Sequence, residues 1–199
     1  MSIPHKHLSR LLPQSDRGRT AIFIDGSHLF YAALQLDIEL DYTQLLSTLT
    51  VDSQLLRAFF YTGADSGNEK QQGFLLWMRR NGYRVVAKDL VPMPDGSKKI
   101  NLDVEMAVDM LTLAPHYDTA VLVSGNGNLA YAVDAVSKQG VRVEIVGLRT
   151  MTSDNLINVA DTYLDIATIQ TDIQKTIATR EPKISEDRYV YRPLTSKLL

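Results

Sequence analysis

Oxygen-bearing side chains follow two short apolar runs of this sequence and could bind a hard metal ion. Asp25 comes directly after the run 21–24, and Asn126 and Asn128 follow the β-branched run 119–123 in a glycine-spaced turn. Because parallel strands end at one edge of a sheet, we expect these three side chains to lie close together. Carboxylate and amide oxygens are ligands that Mg²⁺ accepts in proteins. Asn-Gly is also a favoured tight-turn dipeptide, so turn formation alone is the alternative explanation for this segment.

Two further aspartates occur in a predicted helix that follows a loop rich in proline and glycine. Asp103 lies at the start of this helix, after the loop 92–96, and would face the same sheet edge if the helix packs back on the sheet. An aspartate at a helix start is more commonly explained by its favourable interaction with the helix N-terminus. Asp109 lies about 120° further around the helix axis, so it is only a peripheral candidate.

An alternation of strands and helices must position these side chains. Short apolar runs that end in turn residues predict five strands, at 21–24, 55–61, 83–90, 119–123 and 141–147. Helical spacing predicts helices over residues 29–36, 43–49, 68–81, 104–113, 129–138 and 153–159. This alternation predicts an α/β fold with a central, mainly parallel sheet and helices on both faces.

The composition is typical of one soluble globular domain with short tails. The chain has 199 residues, of which 45% are hydrophobic and 22% charged, and it contains no cysteine and therefore no disulfide. No apolar run is long enough to span a membrane, so we expect a cytoplasmic protein. Residues 1–18 predict a basic N-terminal tail, and residues 169–199 a C-terminal extension.

Four segments, taken in order, resemble the NYN domain, a PIN-like nuclease fold, and most closely its LabA-like branch. The resemblance spans about residues 19–168, and the matching segments are 22–30, 101–104 with Asp109, 123–129 and 140–143. It implies a PIN-like, Rossmannoid three-layer fold. It also implies a hydrolase that cuts RNA internally, in which acidic residues bind one or two Mg²⁺ or Mn²⁺ ions that activate a water.

Carried over by position, the resemblance assigns catalysis and metal binding to Asp25, Asp103, Asn126 and Asn128. The family usually has aspartate at positions 126 and 128, and asparagine where this chain has His28. The two amides reduce the site from about four negative charges to about two, so we expect Mg²⁺ or Mn²⁺ to bind with low affinity. The substrate-binding candidates are Ser27, His28, Ser124 and Lys99.

The resemblance leaves two functions open. The first is a ribonuclease with a weakened or inactivated metal site that binds single-stranded RNA. The second is a non-catalytic regulator of gene expression that binds RNA or a protein partner, including a second copy of this chain. His28 also has a simpler explanation, because a single histidine near a loop is more commonly a packing residue that forms hydrogen bonds. Sequence motifs of P-loop, dinucleotide-binding and serine hydrolase sites are absent.

Basic residues could guide RNA to this site. Both ends of the sequence carry an excess of lysine and arginine, whereas the middle is acidic. Such tails attract phosphates without a fixed structure, although they also serve solubility. The alternating segment 188–192 suits base stacking with phosphate contact, or an edge strand. Residues that could line an RNA path are Arg79, Arg80, Arg84, Lys88, Lys98 and Lys99.

Overall fold

A six-stranded parallel sheet forms the centre of the protein. The structure, a computed structural model, describes residues 17–92 and 98–176. Its strands are β1 (Arg19–Asp25), β2 (Gln54–Ala64), β3 (Tyr83–Asp89), β6 (Thr119–Val123), β7 (Arg142–Gly147) and β8 (Thr162–Asp165). In spatial order the sheet runs β3-β2-β1-β6-β7-β8, and every neighbouring pair is parallel. Two very short strands, β4 (Val91–Pro92) and β5 (Lys98–Lys99), pair separately and antiparallel.

Helices cover both faces of this sheet, as the sequence predicts. On one face lie α1 (Gly26–Gln35), α2 (Tyr42–Leu49), α3 (Glu69–Arg80) and α7 (Gln170–Ile173). On the other lie α4 (Asp103–Leu113), α5 (Ala130–Ser137) and α6 (Asp154–Ile157). Short 3₁₀ turns occupy residues 114–116, 127–129, 149–151 and 166–169. The three-layer α/β architecture is thereby confirmed.

The central strand β1 supplies both layers of the core. Ile22 and Ile24 pack with the α1 side, whereas Ala21 and Phe23 pack with the α4 side, because successive side chains of a strand point to opposite faces. All four are fully buried. A strand that is apolar on both faces is typical of the middle of a parallel sheet.

The order in which the chain adds strands changes direction at β1. The sequence from β1 through β2 to β3 moves outward along one half of the sheet, with α1, α2 and α3 on one face. The chain then returns through α4 to β6, which pairs with the other side of β1, and α5 lies on the opposite face. The loops after β1 and β6 therefore diverge, and they leave a crevice at the carboxyl edge of the sheet.

Two segments of the sheet region differ from the sequence prediction. The edge strand β8 was not predicted, because Thr162–Asp165 is only four residues long and half-exposed. The last predicted helix, 153–159, is limited to Asp154–Ile157, after which the chain turns into β8.

The ends of the described chain pack against the core. Arg17 forms an ion pair with Glu144, and Thr119 Oγ1 donates to the Arg17 carbonyl at 2.6 Å. At the other end Ile173 is fully buried, and Leu40 and Gln174 form an isolated antiparallel bridge. None of the helices in the described parts of the chain has the length and apolar character needed to cross a membrane.

Candidate functional site

Asp25 lies at the end of β1 and caps helix α1. Its Oδ1 accepts hydrogen bonds from the backbone N–H groups of Ser27, at 3.0 Å, and His28, at 3.1 Å. Its Oδ2 accepts a hydrogen bond of 3.3 Å from Ser124 Oγ, which comes from the end of β6. The carboxylate thus joins the two neighbouring strands and caps the N-terminus of α1.

The side chains of Ser124 and Asn126 hold the turn after β6. Ser124 is fully buried, and its Oγ accepts from the Asn126 N–H at 3.2 Å. Asn126 Oδ1 accepts from the Asn128 N–H at 3.0 Å and so caps the short 3₁₀ turn that follows. Turn formation, the alternative explanation for this segment, therefore accounts for part of the role of Asn126, because its side chain stabilises the turn.

Asp103 is the first residue of α4 and reaches the same crevice. Its backbone N–H donates to Asn101 Oδ1 at 2.7 Å, and its Oδ2 accepts from Asn101 Nδ2 at 3.2 Å. Asn128 Nδ2 lies 3.5 Å from the same Asp103 oxygen. Asp103 therefore both complements the helix N-terminus and faces the turn after β6.

These residues line one open cleft of about 240 Å³ at the carboxyl edge of the sheet. The structure brings Asp25, Asn126 and Asn128 together at the ends of two neighbouring parallel strands, and Asp103 joins them from the start of α4. Ser27 also lines the cleft. The remaining lining residues are Tyr61, Ile100, Asn101, Leu102 and Met106.

Two polar lining residues, Tyr61 and Asn101, were not predicted as site residues. Tyr61 stands in register with Asp25 on the neighbouring strand, so its place at the end of a predicted strand was the available signal. Asn101 holds Asp103 through both of its amide atoms. The signal for Asn101 was its position two residues before a predicted helix start, where asparagine commonly bonds to the backbone.

Asp109 does not line the cleft and acts through Tyr61. The Tyr61 hydroxyl donates to Asp109 Oδ2 at 2.9 Å. Burial raises the pKa of Tyr61 far above its usual value, and the Asp109 charge raises it further. Tyr61 therefore remains a neutral donor, and the Asp109 carboxylate is held on the wall behind the cleft.

His28 packs behind the cleft and does not line it. A β-carbon at Gly125 would lie 2.5 Å from His28 Cε1, and one at Gly147 would lie 3.2 Å from His28 Nε2. His28 Nε2 is buried without a hydrogen-bond partner among the described residues. Burial lowers the pKa of His28, against the opposing attraction of Asp25. Lys99, the remaining substrate-binding candidate, belongs to β5, but its side chain lies outside the described residues.

The donor set fits a hard divalent cation by type and falls short by charge. Asp25, Asp103, Asn126 and Asn128 offer the carboxylate and amide oxygens that Mg²⁺ or Mn²⁺ prefers. The described residues contain no group of three or more histidine, cysteine or acidic side chains that could hold a metal ion. Asn128 also presents its Nδ2 to Asp103, so this amide must turn over before its oxygen can face a cation.

Comparisons with known proteins identify the family. Residues 19–167 match the sequence profile of the NYN domain. The chain belongs to the NYN domain family. The NYN domain defines an RNA-related, nuclease-like protein family. The central sheet and the helix layers described above form the PIN-like fold of this family.

Two similar proteins cover most of this NYN chain. The low amplitude and bright protein LabA of Synechococcus elongatus is 31% identical over 166 residues, and the match covers 79% of this chain and 89% of LabA. A crystal structure of a protein of unknown function from Vibrio parahaemolyticus is 28% identical, with a TM-score of 0.68. The match covers 78% of this chain and 96% of that one.

Proposed function

We propose that this NYN protein binds single-stranded RNA in the cleft and acts as an endoribonuclease with a weakened metal site. The observation that carries this proposal is that Asp25 and Asp103 line one cleft together with Asn126 and Asn128. Two carboxylates make a poor resident site for a divalent cation. An RNA phosphate bound in the cleft would add oxygen ligands and negative charge, so the cation is expected to bind together with RNA.

Some residues of the cleft would bind the metal ion, and others would keep those ligands in position. Asp25 and Asp103 would hold Mg²⁺ or Mn²⁺, and the amide oxygens of Asn126 and Asn128 would complete the protein ligands. The cation, when bound, supplies a Lewis acid that polarises the phosphate and makes water a better nucleophile. Ser124 keeps Asp25 Oδ2 in place, and Asn101 does the same for Asp103 Oδ2.

A non-catalytic regulator is the second candidate, and one contact favours it. Asn128 Nδ2 lies 3.5 Å from the Asp103 carboxylate, so Asn128 presents a hydrogen-bond donor, and not an oxygen ligand, to this side of the cleft. In this form the cleft would bind RNA, or a protein partner, without cutting it. We place either activity in the cytoplasm, because a chain without cysteine needs no oxidising compartment.

Cleavage of a labelled single-stranded RNA in Mn²⁺ distinguishes the two candidates. We expect slow cleavage by the natural chain and much faster cleavage by Asn126→Asp/Asn128→Asp, because the double variant restores two anions. The control adds Asp25→Asn to the double variant and should remove the gain. If the double variant binds Mn²⁺ no better than the natural chain and does not cut, the metal site is wrong. RNA binding by both proteins with cleavage by neither supports the regulator.

A further inference from the structure

The arginines of the described chain form two groups that differ in their partners. Those of the first group each pair with a carboxylate: Arg17 and Arg142 with Glu144, Arg19 with Asp118, and Arg149 with Asp154. Those of the second group, Arg57, Arg79, Arg80 and Arg84, form no ion pair within residues 17–92 and 98–176. All members of the second group are exposed.

Three of the unpaired arginines converge on one edge of the sheet. Arg57 comes from the first half of β2, Arg79 from the last turn of α3, and Arg84 from the start of β3. They line one shallow depression, which we call the arginine patch, together with Gly82, Tyr83 and Val85. Among the described residues, no carboxylate lines this depression. Arg80 neighbours Arg79 on the same helix end.

Local stability does not account for this grouping. A cation in the last turn of a helix interacts favourably with the helix dipole, which explains Arg79. A charged residue on an edge strand discourages pairing with another sheet, which explains Arg84 on β3. Arg57 lies on β2 just before that strand begins to pair with β3, so the edge argument covers this residue as well. Neither reason accounts for the convergence of three such arginines on one depression. Three grouped guanidinium ions repel one another, and a bound anion would relieve that repulsion.

Arg84 lies on the face of the sheet that carries α4 and the cleft, whereas Arg79 comes from α3 on the opposite face. Arg84 is in register with Phe59, and Tyr61 follows Phe59 on the same face of β2, because strand side chains repeat every second residue. The spacing of strands and residues places the Cα atoms of Arg84 and Tyr61 about 8 Å apart. The Arg84 charge also acts on the Tyr61 hydroxyl, where it opposes the rise in pKa that burial causes.

The shape of the patch favours a chain of phosphates over a single small ligand. The depression is shallow and open, so it offers no enclosed pocket for a base or a sugar. Arg57 lies four residues before Tyr61, which corresponds to roughly 13 Å along the strand. A polymer with regularly spaced phosphates can contact the patch and enter the cleft at the same time.

We infer that Arg57, Arg79 and Arg84 bind the phosphate backbone of the RNA whose scissile segment lies in the cleft. This inference rests on the proposed function, because it needs RNA as the ligand of the cleft. Lys88, which the sequence placed on the same path, is not part of the patch, since it forms an ion pair with Glu105 of α4. The side chains of Lys98 and Lys99 lie outside the described residues.

Salt-dependent RNA binding tests the patch. The full chain and Arg57→Gln/Arg79→Gln/Arg84→Gln are titrated with a labelled, unstructured single-stranded RNA over a range of salt concentrations, without divalent metal. The matched control, Arg19→Gln/Arg142→Gln/Arg149→Gln, removes the same charge from arginines that are already paired. Circular dichroism and thermal unfolding verify that all three proteins are folded.

We expect the patch variant to lose about 2 from the slope of log affinity against log salt, since each phosphate contact with a single strand contributes about 0.7. Its affinity at about 0.1 M salt should fall roughly 10- to 100-fold, while the control keeps a slope close to that of the natural chain. Equal losses in both variants would show a general charge effect and overturn the inference. Unchanged RNA binding by the patch variant would also overturn it, and an acidic protein surface would then be the partner whose charge fits the patch. The absence of any RNA binding by the natural chain would overturn the proposed function together with the inference.

Discussion

The Tyr61 hydroxyl donates a hydrogen bond of 2.9 Å to Asp109 Oδ2 and thereby joins the end of β2 to helix α4. Tyr61 is 1% exposed and lines the cleft, whereas Asp109 lies behind it. The wall between the sheet and α4 therefore depends on a contact between a neutral donor and a charged acceptor. Hydrogen bonds to charged groups contribute about 1.5–3 kcal/mol to stability.

Tyr61→Phe is expected to lower the free energy of unfolding by about 1–3 kcal/mol, because Asp109 loses its donor in a partly buried position. Urea unfolding measures this change. Asp109→Ala and the double variant complete a cycle, whose coupling energy should exceed about 0.5 kcal/mol. Purely additive effects would contradict the contact. Tyr131→Phe, at a tyrosine that is 84% exposed, should leave stability unchanged.

Asn126→Asp/Asn128→Asp should destabilise the metal-free protein, because the variant places four carboxylates around one cleft. Mn²⁺ should then stabilise the variant by about 2.7 kcal/mol at a hundredfold excess over its dissociation constant, and the natural chain by less. Thermal unfolding with EDTA and with Mn²⁺ gives both numbers. Asn155→Asp/Asn158→Asp adds the same charge at exposed positions of the α6 region and should show no Mn²⁺ effect.

Gly125→Ala should destabilise the protein by about 1–3 kcal/mol or more, as overpacking of a filled site does. The new methyl group would overlap the carbonyl oxygen of Met151 and the ring of His28. Differential scanning calorimetry reports the loss as a lower melting temperature. The matched change Gly67→Ala meets only Asp65 Oδ1 at 3.4 Å and should be close to neutral. Equal effects of the two substitutions would refute the close packing of His28 under this turn.

The stability of the metal-free protein should fall as the pH drops below the ordinary histidine pKa of 6.5. Burial lowers the pKa of His28 in the folded state, so the unfolded chain binds the proton more tightly. Acidification therefore stabilises the unfolded state relative to the folded state. His28→Asn should weaken this dependence. Urea unfolding in EDTA at about pH 7.5 and about pH 5.5, on either side of that pKa, measures it. His116→Asn, at an exposed position, serves as control; if it changes the pH dependence as much, His28 is not its source.

Ile173→Ala should cost about 2–4 kcal/mol, because this fully buried side chain belongs to the core beneath α2. Leu164→Ala, at a side chain that is 37% exposed, should cost much less. Urea unfolding of both variants shows whether the folded body extends past residue 168. A neutral result for Ile173→Ala would instead support a C-terminal extension that begins at residue 169.

The sequence was sufficient for the fold and for the meeting of Asp25 with Asn126 and Asn128. Short apolar strands that alternate with helices leave few arrangements, and parallel strands end at a common edge. The strand β8 escaped prediction, because a four-residue edge strand with half-exposed side chains has no clear hydrophobic pattern. The position of Tyr61 in the cleft was not predicted, because an aromatic residue at the end of a strand is commonly part of the hydrophobic core. Only the register of Tyr61 with Asp25 reveals its place in the cleft.

Ion pairs between distant segments were beyond sequence reasoning. Lys88 was assigned to a basic path, yet Glu105 of α4 neutralises it. Arg57 was not assigned to any path, yet it stands beside Arg79 and Arg84 at the sheet edge. Which charges remain unpaired depends on side chains that only the folded chain brings together.

Asp25 and Asn126 both line the cleft and cap local structure, but the two caps differ in which substitutions they tolerate. Asp25 holds two backbone N–H groups of α1, so its replacement would weaken the helix as well as the site. Asn126 needs only one side-chain oxygen to hold its turn, and an aspartate offers the same oxygen. We therefore expect that Asn126→Asp changes the charge of this cleft while the backbone of the turn keeps its hydrogen bond, so that charge and architecture can be varied separately at this position.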